Sequence, residues 1–271
     1  MNKQQVFDKI AGDIKSVKIQ GARNIAKSAL YAYSLIPSEN SRKKLLSLRP
    51  TEPMLEKVLN LAVKKSCSEI LNHFESAQNA INKHVLKSIK NNDIIFTHCH
   101  STNVVNALIY AKKKGTKFQV YNTETRPLFQ GRKTAKQLKN AGIKVTMFID
   151  SAIEDALSGE NGKKPSKVFI GADALLKKGI INKIGSELIA RIAQQEKIQV
   201  YIIADSWKFT KKKIPIEQRK LNEIWNTAPK GIKIKNPAFE FVRRKYISGI
   251  ITEFGLMRYN MFVRKMKREK N

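Results

Sequence analysis

Residues 93–102, DIIFTHCHST, read as a short buried strand that runs directly into a cysteine flanked by two histidines and then into a helix start. Polar chemistry at the end of an apolar strand is where open α/β sheets place their sites. Thr102 is expected to cap the helix NVVNALIYAKKK, leaving backbone N–H groups turned toward Cys99. Such a helix start attracts anions, and it favours a thiolate where the sulfur lies near the axis. Read alone, the stretch also fits a structural cysteine with two incidental histidines.

Downstream of it, short apolar runs at 94–97, 117–121, 144–149, 167–171 and 199–204 alternate with helical patterns at 102–114, 132–141, 151–157 and 183–196. That alternation predicts βαβ units and a mostly parallel, Rossmann-like sheet over residues 89–271. Residues 211–221 read as a polar surface connection, 231–236 and 246–255 as short strand or edge elements, and the final fifteen residues as a basic tail with a weak apolar face. Upstream, the stripe Val6, Ile10, Ile14, Val17 and the later runs around Ile25, Val58 and Phe74 have helical spacing, broken at Gly21 and at SLRPTEP. The expected organisation is an all-helical N-terminal domain, residues 1–88, ahead of an α/β domain, residues 89–271.

The composition narrows the class. With 52 Lys+Arg against 22 Asp+Glu the formal charge is +30, compatible with a nucleic-acid face, with phosphorylated small molecules or with a lysine-rich solvated surface. The lysines are dispersed, which weakens the nucleic-acid reading. Two cysteines make a disulfide framework implausible, and no apolar run reaches a membrane span, so a cytoplasmic protein without a membrane partner is expected. No glycine-rich nucleotide motif is present, and the four histidines include no HExxH pair, so no metal site is expected.

In a parallel sheet all C-terminal strand ends share one side. Cys99, Glu124, Arg126, Gln130, Asp173, Asn182 and Lys183 therefore converge although they are far apart in sequence. An Asp directly after an apolar strand is either a turn residue or an acid with a raised pKa. Opposite a cysteine it suits acid/base work on a small molecule, while Arg49, Arg126, Lys183 and the helix start after Asn182 suit phosphate.

The motifs THCHS (97–101), TETRPLFQG (123–131), FIDSA (148–152), GAD (171–173), INKIG (181–185), NPAF (236–239) and IITEFG (250–255) together resemble the ribose-1,5-bisphosphate isomerases of archaea. These share a family with methylthioribose-1-phosphate isomerase and the regulatory subunits of translation initiation factor 2B. The likeness extends to QGARNIA and LRPT in the helical part. It implies conversion of α-D-ribose 1,5-bisphosphate to D-ribulose 1,5-bisphosphate in a route recycling nucleotide ribose, with Cys99 and Asp173 as the catalytic pair. It further implies substrate contacts from Gly21, Ala22, Arg23, Arg49, Gln130, Asn182, Lys183 and Lys208, no cofactor, and a homo-oligomer, either a dimer or a trimer of dimers. An initiation-factor-like subunit that binds protein, RNA or a nucleotide ligand, and a methylthioribose-1-phosphate isomerase, are the alternatives. Two departures stand out: Gln20 replaces the arginine common before this glycine, leaving Arg23 to supply charge, and ADSWKF replaces the family's ETYKF, so that Asp205 and Trp207 alter a wall.

Overall fold

The computed structural model describes residues 1–160 and 162–268. Five helices come first: α1 Lys3–Lys15, α2 Ala22–Leu35, α3 Glu39–Leu48, α4 Pro53–Leu61 and α5 Cys67–Leu86. Their starts follow local chemistry. Asn2 with Gln5 and Ser66 with Glu69 form capping boxes, and Pro53 occupies the first turn of α4, where its missing N–H costs nothing. Ile14, Ile25, Leu45 and Leu59 make one buried cluster of this layer, and Ala26, Met54, Val58 and Phe74 another.

The chain then enters β1 Ile94–Thr97, α6 Thr102–Lys113, β2 Gln119–Thr123, α7 Gln130–Asn140, β3 Lys144–Phe148, α8 Ile153–Ser158 and β4 Lys167–Ile170. After β5 Ala174–Leu176 and β6 Gly179–Lys183 come α9 Ser186–Gln195, β7 Gln199–Ile203, β8 Phe239–Arg243, β9 Gly249–Thr252, β10 Gly255–Met257 and α10 Tyr259–Arg268. Seven strands form one sheet in the order β10-β9-β7-β4-β1-β2-β3, parallel throughout except for the β9–β10 hairpin. Fully buried on both faces, β1 divides its side chains between two cores. Ile95, with Val120, Phe169 and Ile203, packs against α5, α6 and α7, whereas Phe96, with Val168, Ile170 and Val200, packs against α8, α9 and α10. Helix α5 belongs to both parts of the molecule, since Ile70 and Phe74 pack in the helical layer and Ile81 and Val85 on the sheet.

Strand order reverses at β1, with β2 and β3 on one side and β4 on the other, so the β1 and β4 ends flank the topological switch point. No helix among the described residues is long and apolar enough to cross a membrane.

Four local expectations are corrected. The cap of α6 is Ser101, not Thr102, its side chain accepting from the Val104 N–H at 3.4 Å. INKIG does not begin a helix. Its first residues end β6, the middle strand of an antiparallel β5-β6-β8 sheet, because Ile180 and Ile181 are buried by pairing on both sides, and α9 starts only at Ser186 after Gly185 turns the chain at φ 100°. Residues 231–236 form no strand. Residues 211–221 are not merely a surface link, as the cleft below makes clear. The described part of the basic tail is the helix α10, seated by Tyr259, Phe262, Val263 and Met266; residues 269–271 lie outside the described residues.

One close approach is decisive for the ETRP loop. A Cβ on Gly131, in the first turn of α7, would stand 1.8 Å from the Thr123 carbonyl oxygen at the end of β2. Gly131→Ala is expected to destabilise the protein by about 2–3 kcal/mol, as overpacking against backbone does. A thermal midpoint lowered by several degrees checks this; an unchanged midpoint would show that α7 shifts freely.

Candidate active site

A cleft with about 1100 Å³ of empty space, counting its open mouth, lies over the C-terminal ends of β1 and β4. Each of the ten residues expected to serve catalysis or substrate lines it: Gly21, Ala22, Arg23, Arg49, Cys99, Gln130, Asp173, Asn182, Lys183 and Lys208. They arrive from the helical layer, the strand ends and the small antiparallel sheet. Glu124 and Arg126, also expected to converge, instead engage Arg132 and the Ile224 carbonyl and do not line the cleft.

Cys99 sits in the left-handed region, φ 64°, which costs a side-chain-bearing residue strain. Two threonines grip its peptide units: the Cys99 N–H donates to Thr125 Oγ1 at 3.0 Å, and the Thr134 hydroxyl donates to the Cys99 carbonyl at 2.8 Å. The histidines brace the same turn. His98 Nε2 donates to the Ile184 carbonyl at 2.9 Å, which leaves Nδ1 to accept from the Thr123 hydroxyl. Thr134 gives its proton to Cys99, so His100 Nδ1 donates to Thr134 at 3.0 Å. Burial lowers the pKa of both histidines to about 4, so both are neutral. Asp150, in the FIDSA motif, fixes the neighbouring loop by accepting from the Thr125 N–H at 2.9 Å and the Arg126 N–H at 2.6 Å.

The Cys99 thiol is pushed up to about 12, chiefly by burial, with Lys183 and the His100 N–H working the other way. The expected helix-stabilised thiolate is therefore not the resting state. Burial also raises the Asp173 carboxyl, opposed by Lys208 and then Arg49. Lys208 donates to the Ala172 carbonyl at 2.6 Å, which ties it to the GAD turn. Burial lowers the Lys183 ammonium. The start of α9 does not await a phosphate, because the Glu240 carboxylate already accepts from the Glu187 N–H at 2.8 Å. The start of α6 does open on the cleft, through Ser101, Thr102 and Asn103.

Sequence reading missed the acidic side of this cleft. Residues 217–238 fold back on themselves just ahead of β8, with the Arg219 N–H on the Asn236 carbonyl and the Ala238 N–H on the Glu217 carbonyl. They deliver Glu217, Arg219 and Glu223. Arg49 Nη2 pairs with Glu217 at 2.9 Å, and Arg219 pairs with Glu223 at 2.5 Å. Glu52 also lines the cleft and is 3% exposed. The Arg23 guanidinium is held by Glu75 at 3.0 Å and Gln78 at 3.2 Å, so its charge is already engaged, while Gln20 reaches Gln130 at 3.4 Å. On the altered ADSWKF wall, Trp207 stacks on His73 at 3.5 Å, and His73 Nε2 lies 3.1 Å from Asp205. His73, Asp205 and Glu253 bring ligand-type atoms within 4.8 Å of one another, but Asp205 and Ser206 already hold the histidine and Glu253.

Fold and cleft define a Rossmann-like α/β protein with a helical N-terminal layer and a half-buried thiol, acids and cations gathered at its switch point. Residues 16–259 match the model of the Initiation factor 2 subunit family, and the chain belongs to that family. It is 33% identical to a ribose 1,5-bisphosphate isomerase of Methanocaldococcus jannaschii, across 95% of this chain and 93% of that protein. It is 32% identical to the one of Archaeoglobus fulgidus, across 90% and 87%. The translation initiation factor eIF-2B of Pyrococcus horikoshii OT3 has the same fold, with a TM-score of 0.81 at 24% identity, across 93% of this chain and 96% of that one.

A thiol held so high reacts slowly at neutral pH. Alkylation of Cys99 by iodoacetamide, followed by peptide mass spectrometry with Cys99→Ser as control, is expected to accelerate about tenfold per pH unit up to at least pH 9. A rate that levels off near pH 7 would show a stabilised thiolate instead.

Proposed function

We propose that this chain is an aldose–ketose isomerase that converts α-D-ribose 1,5-bisphosphate to D-ribulose 1,5-bisphosphate, with Cys99 and Asp173 as its acid/base pair. The observation that carries the reading is that a thiol and a carboxyl with raised pKa values share one cleft with Arg49, Lys183 and Lys208. The relatives' names agree with it.

In this reading Asp173, whose carboxyl burial raises, donates a proton to the ring oxygen as the bond from carbon 1 to that oxygen breaks. The thiol first passes its proton to Lys183, whose burial favours the neutral amine, and the resulting thiolate beside an ammonium removes the proton from carbon 2. The product of that step is an enol whose phosphate remains on carbon 1. Cys99 then returns the proton to carbon 1 and takes back its own from Lys183 while the carbon-2 hydroxyl gives its proton to Asp173, so that all three groups end as they began. Arg49 and Lys208 hold phosphate, Gln130 and Asn182 orient hydroxyls, and Gly21, Ala22 and Arg23 form the rim toward the helical layer.

The enzyme acts as a homo-oligomer, a dimer or a trimer of dimers, in the cytoplasm. Met147 and Ile149, 47% and 60% exposed on and beside the edge strand β3, support burial by a second copy.

Purified protein is expected to turn over the bisphosphate, and Cys99→Ala and Asp173→Asn are each expected to lower kcat by about 10³-fold or more with an unchanged fold. Normal rates in Cys99→Ala would remove Cys99 from the mechanism. Deuterium at carbon 2 is expected to exchange with solvent in part. Complete transfer to carbon 1 would favour a hydride shift, and stoichiometric binding of initiation factor 2 without turnover would favour a regulatory subunit.

A further inference from the structure

Glu52 has no place in that mechanism, yet its surroundings are those of a functional group. It occupies the residue before α4, where an acid ordinarily accepts from the first helical N–H groups, but its side chain makes no such bond. The side chain turns into the cleft instead, and it is 3% exposed. Its Oε2 has no hydrogen-bond partner, and Oε1 stands 3.7 Å from Arg49 Nη2, which makes its short bond with Glu217. A buried carboxyl oxygen with no partner, on a side chain that lines a cleft, is costly to fold unless a ligand or a proton answers it.

The charges that face it come from four elements. They are Asp173 after β4, Arg49 at the end of α3, Lys208 in the turn after β7 and Glu217 in the returning connection. Arg23 of α2 also lines the cleft, with its charge engaged by Glu75. Two carboxyls that repel each other in a dry site do not both ionise; they share a proton.

We propose that Glu52 is the proton-carrying partner of Asp173: the two carboxyls together hold a single negative charge at most while an anionic ligand enters, and ionisation of Glu52 expels that ligand. This rests on the cleft being the substrate site of the proposed isomerase. Glu52 acts through Asp173 and through the cleft's field, as a positioning residue. Burial raises its carboxyl to about 8, with the Asp173 charge the next cause, so the expelling form gains weight just above neutrality.

Inorganic sulfate is the probe, since its charge is constant across this range. Wild-type affinity for sulfate, measured by calorimetry, is expected to fall about tenfold between about pH 7 and pH 9, the effect of one added charge a few ångströms away. Burial lowers the Lys183 ammonium as well, and its share of the pH dependence is common to all variants. Glu52→Gln is therefore expected to bind sulfate with a clearly shallower pH dependence, and the difference between the two slopes belongs to Glu52. Equal slopes, uniformly weaker binding by Glu52→Gln at every pH, or no sulfate binding by the wild type at pH 7 would each overturn the proposal.

Where the variant fails to fold, infrared titration of wild-type protein labelled with ¹³C-glutamate decides. A protonated carboxylic C=O band that disappears near pH 8 supports the proposal, and its absence at pH 7 refutes it. A wild type that binds sulfate with this profile but never turns over the bisphosphate would leave Glu52's role standing and remove the isomerase reading alone.

Discussion

Cys99 holds a left-handed backbone conformation, which costs a residue with a Cβ about 1–3 kcal/mol and persists only where the surroundings over-determine it. Two threonine hydroxyls do so, one from the end of β2 and one from α7, and each is oriented in turn. Thr125 is fixed by Asp150 through its backbone N–H, and Thr134 by its exchange with His100. A mobile strand-end loop has thereby become a rigid mount. The THCHS and FIDSA motifs, and Thr125 of the ETRP loop, serve this end: they hold one peptide unit so that the thiol points into the cleft.

The same demand explains the tight glycines. Gly171 passes so close to the Ser101 cap that a Cβ would stand 2.5 Å from its hydroxyl oxygen, and Gly131 leaves even less room at the end of β2. Both positions press a strand end against a helix start. The site is thus built by backbone proximity at the switch point, and the charged groups are added from outside it. Lys208 reaches in from the turn after β7, Arg49 from the end of α3, and Glu217 from the returning connection.

The sequence revealed the backbone part well because strand ends announce themselves: a run such as IIFT or KVFI that stops at polar residues fixes both a strand and the side of the sheet on which the polar residues lie. It misled at INKIG, where isoleucines followed by Gly185 have the look of a helix start; Ile181 pairs with the neighbouring β5, but Asn182 and Lys183 are held in the strand by β8, some sixty residues later. Glu217, Arg219 and Glu223 were illegible for a related reason. Their segment has no hydrophobic period, so its place depends on two backbone bonds to Asn236 and from Ala238 that no local pattern encodes. Glu52 was hidden inside SLRPTEP, where two prolines and the expected arginine drew the reading to turn chemistry.

Arg49 does not wait for its ligand in contact with water; the Glu217 carboxylate already occupies its fork at 2.9 Å. In the phosphate-binding role proposed for Arg49, an incoming phosphate replaces one anion with another, as in an ion-exchange resin, and displaces few mobile counterions. For a chain carrying a formal charge of +30, this makes equilibrium affinity far less dependent on ionic strength than its overall charge would imply, while leaving the long-range attraction that governs encounter rates intact. It also sets a threshold: chloride and other weakly coordinating anions, abundant in any cell, are poorer partners for a guanidinium than the tethered carboxylate, so the seat excludes them without a gate.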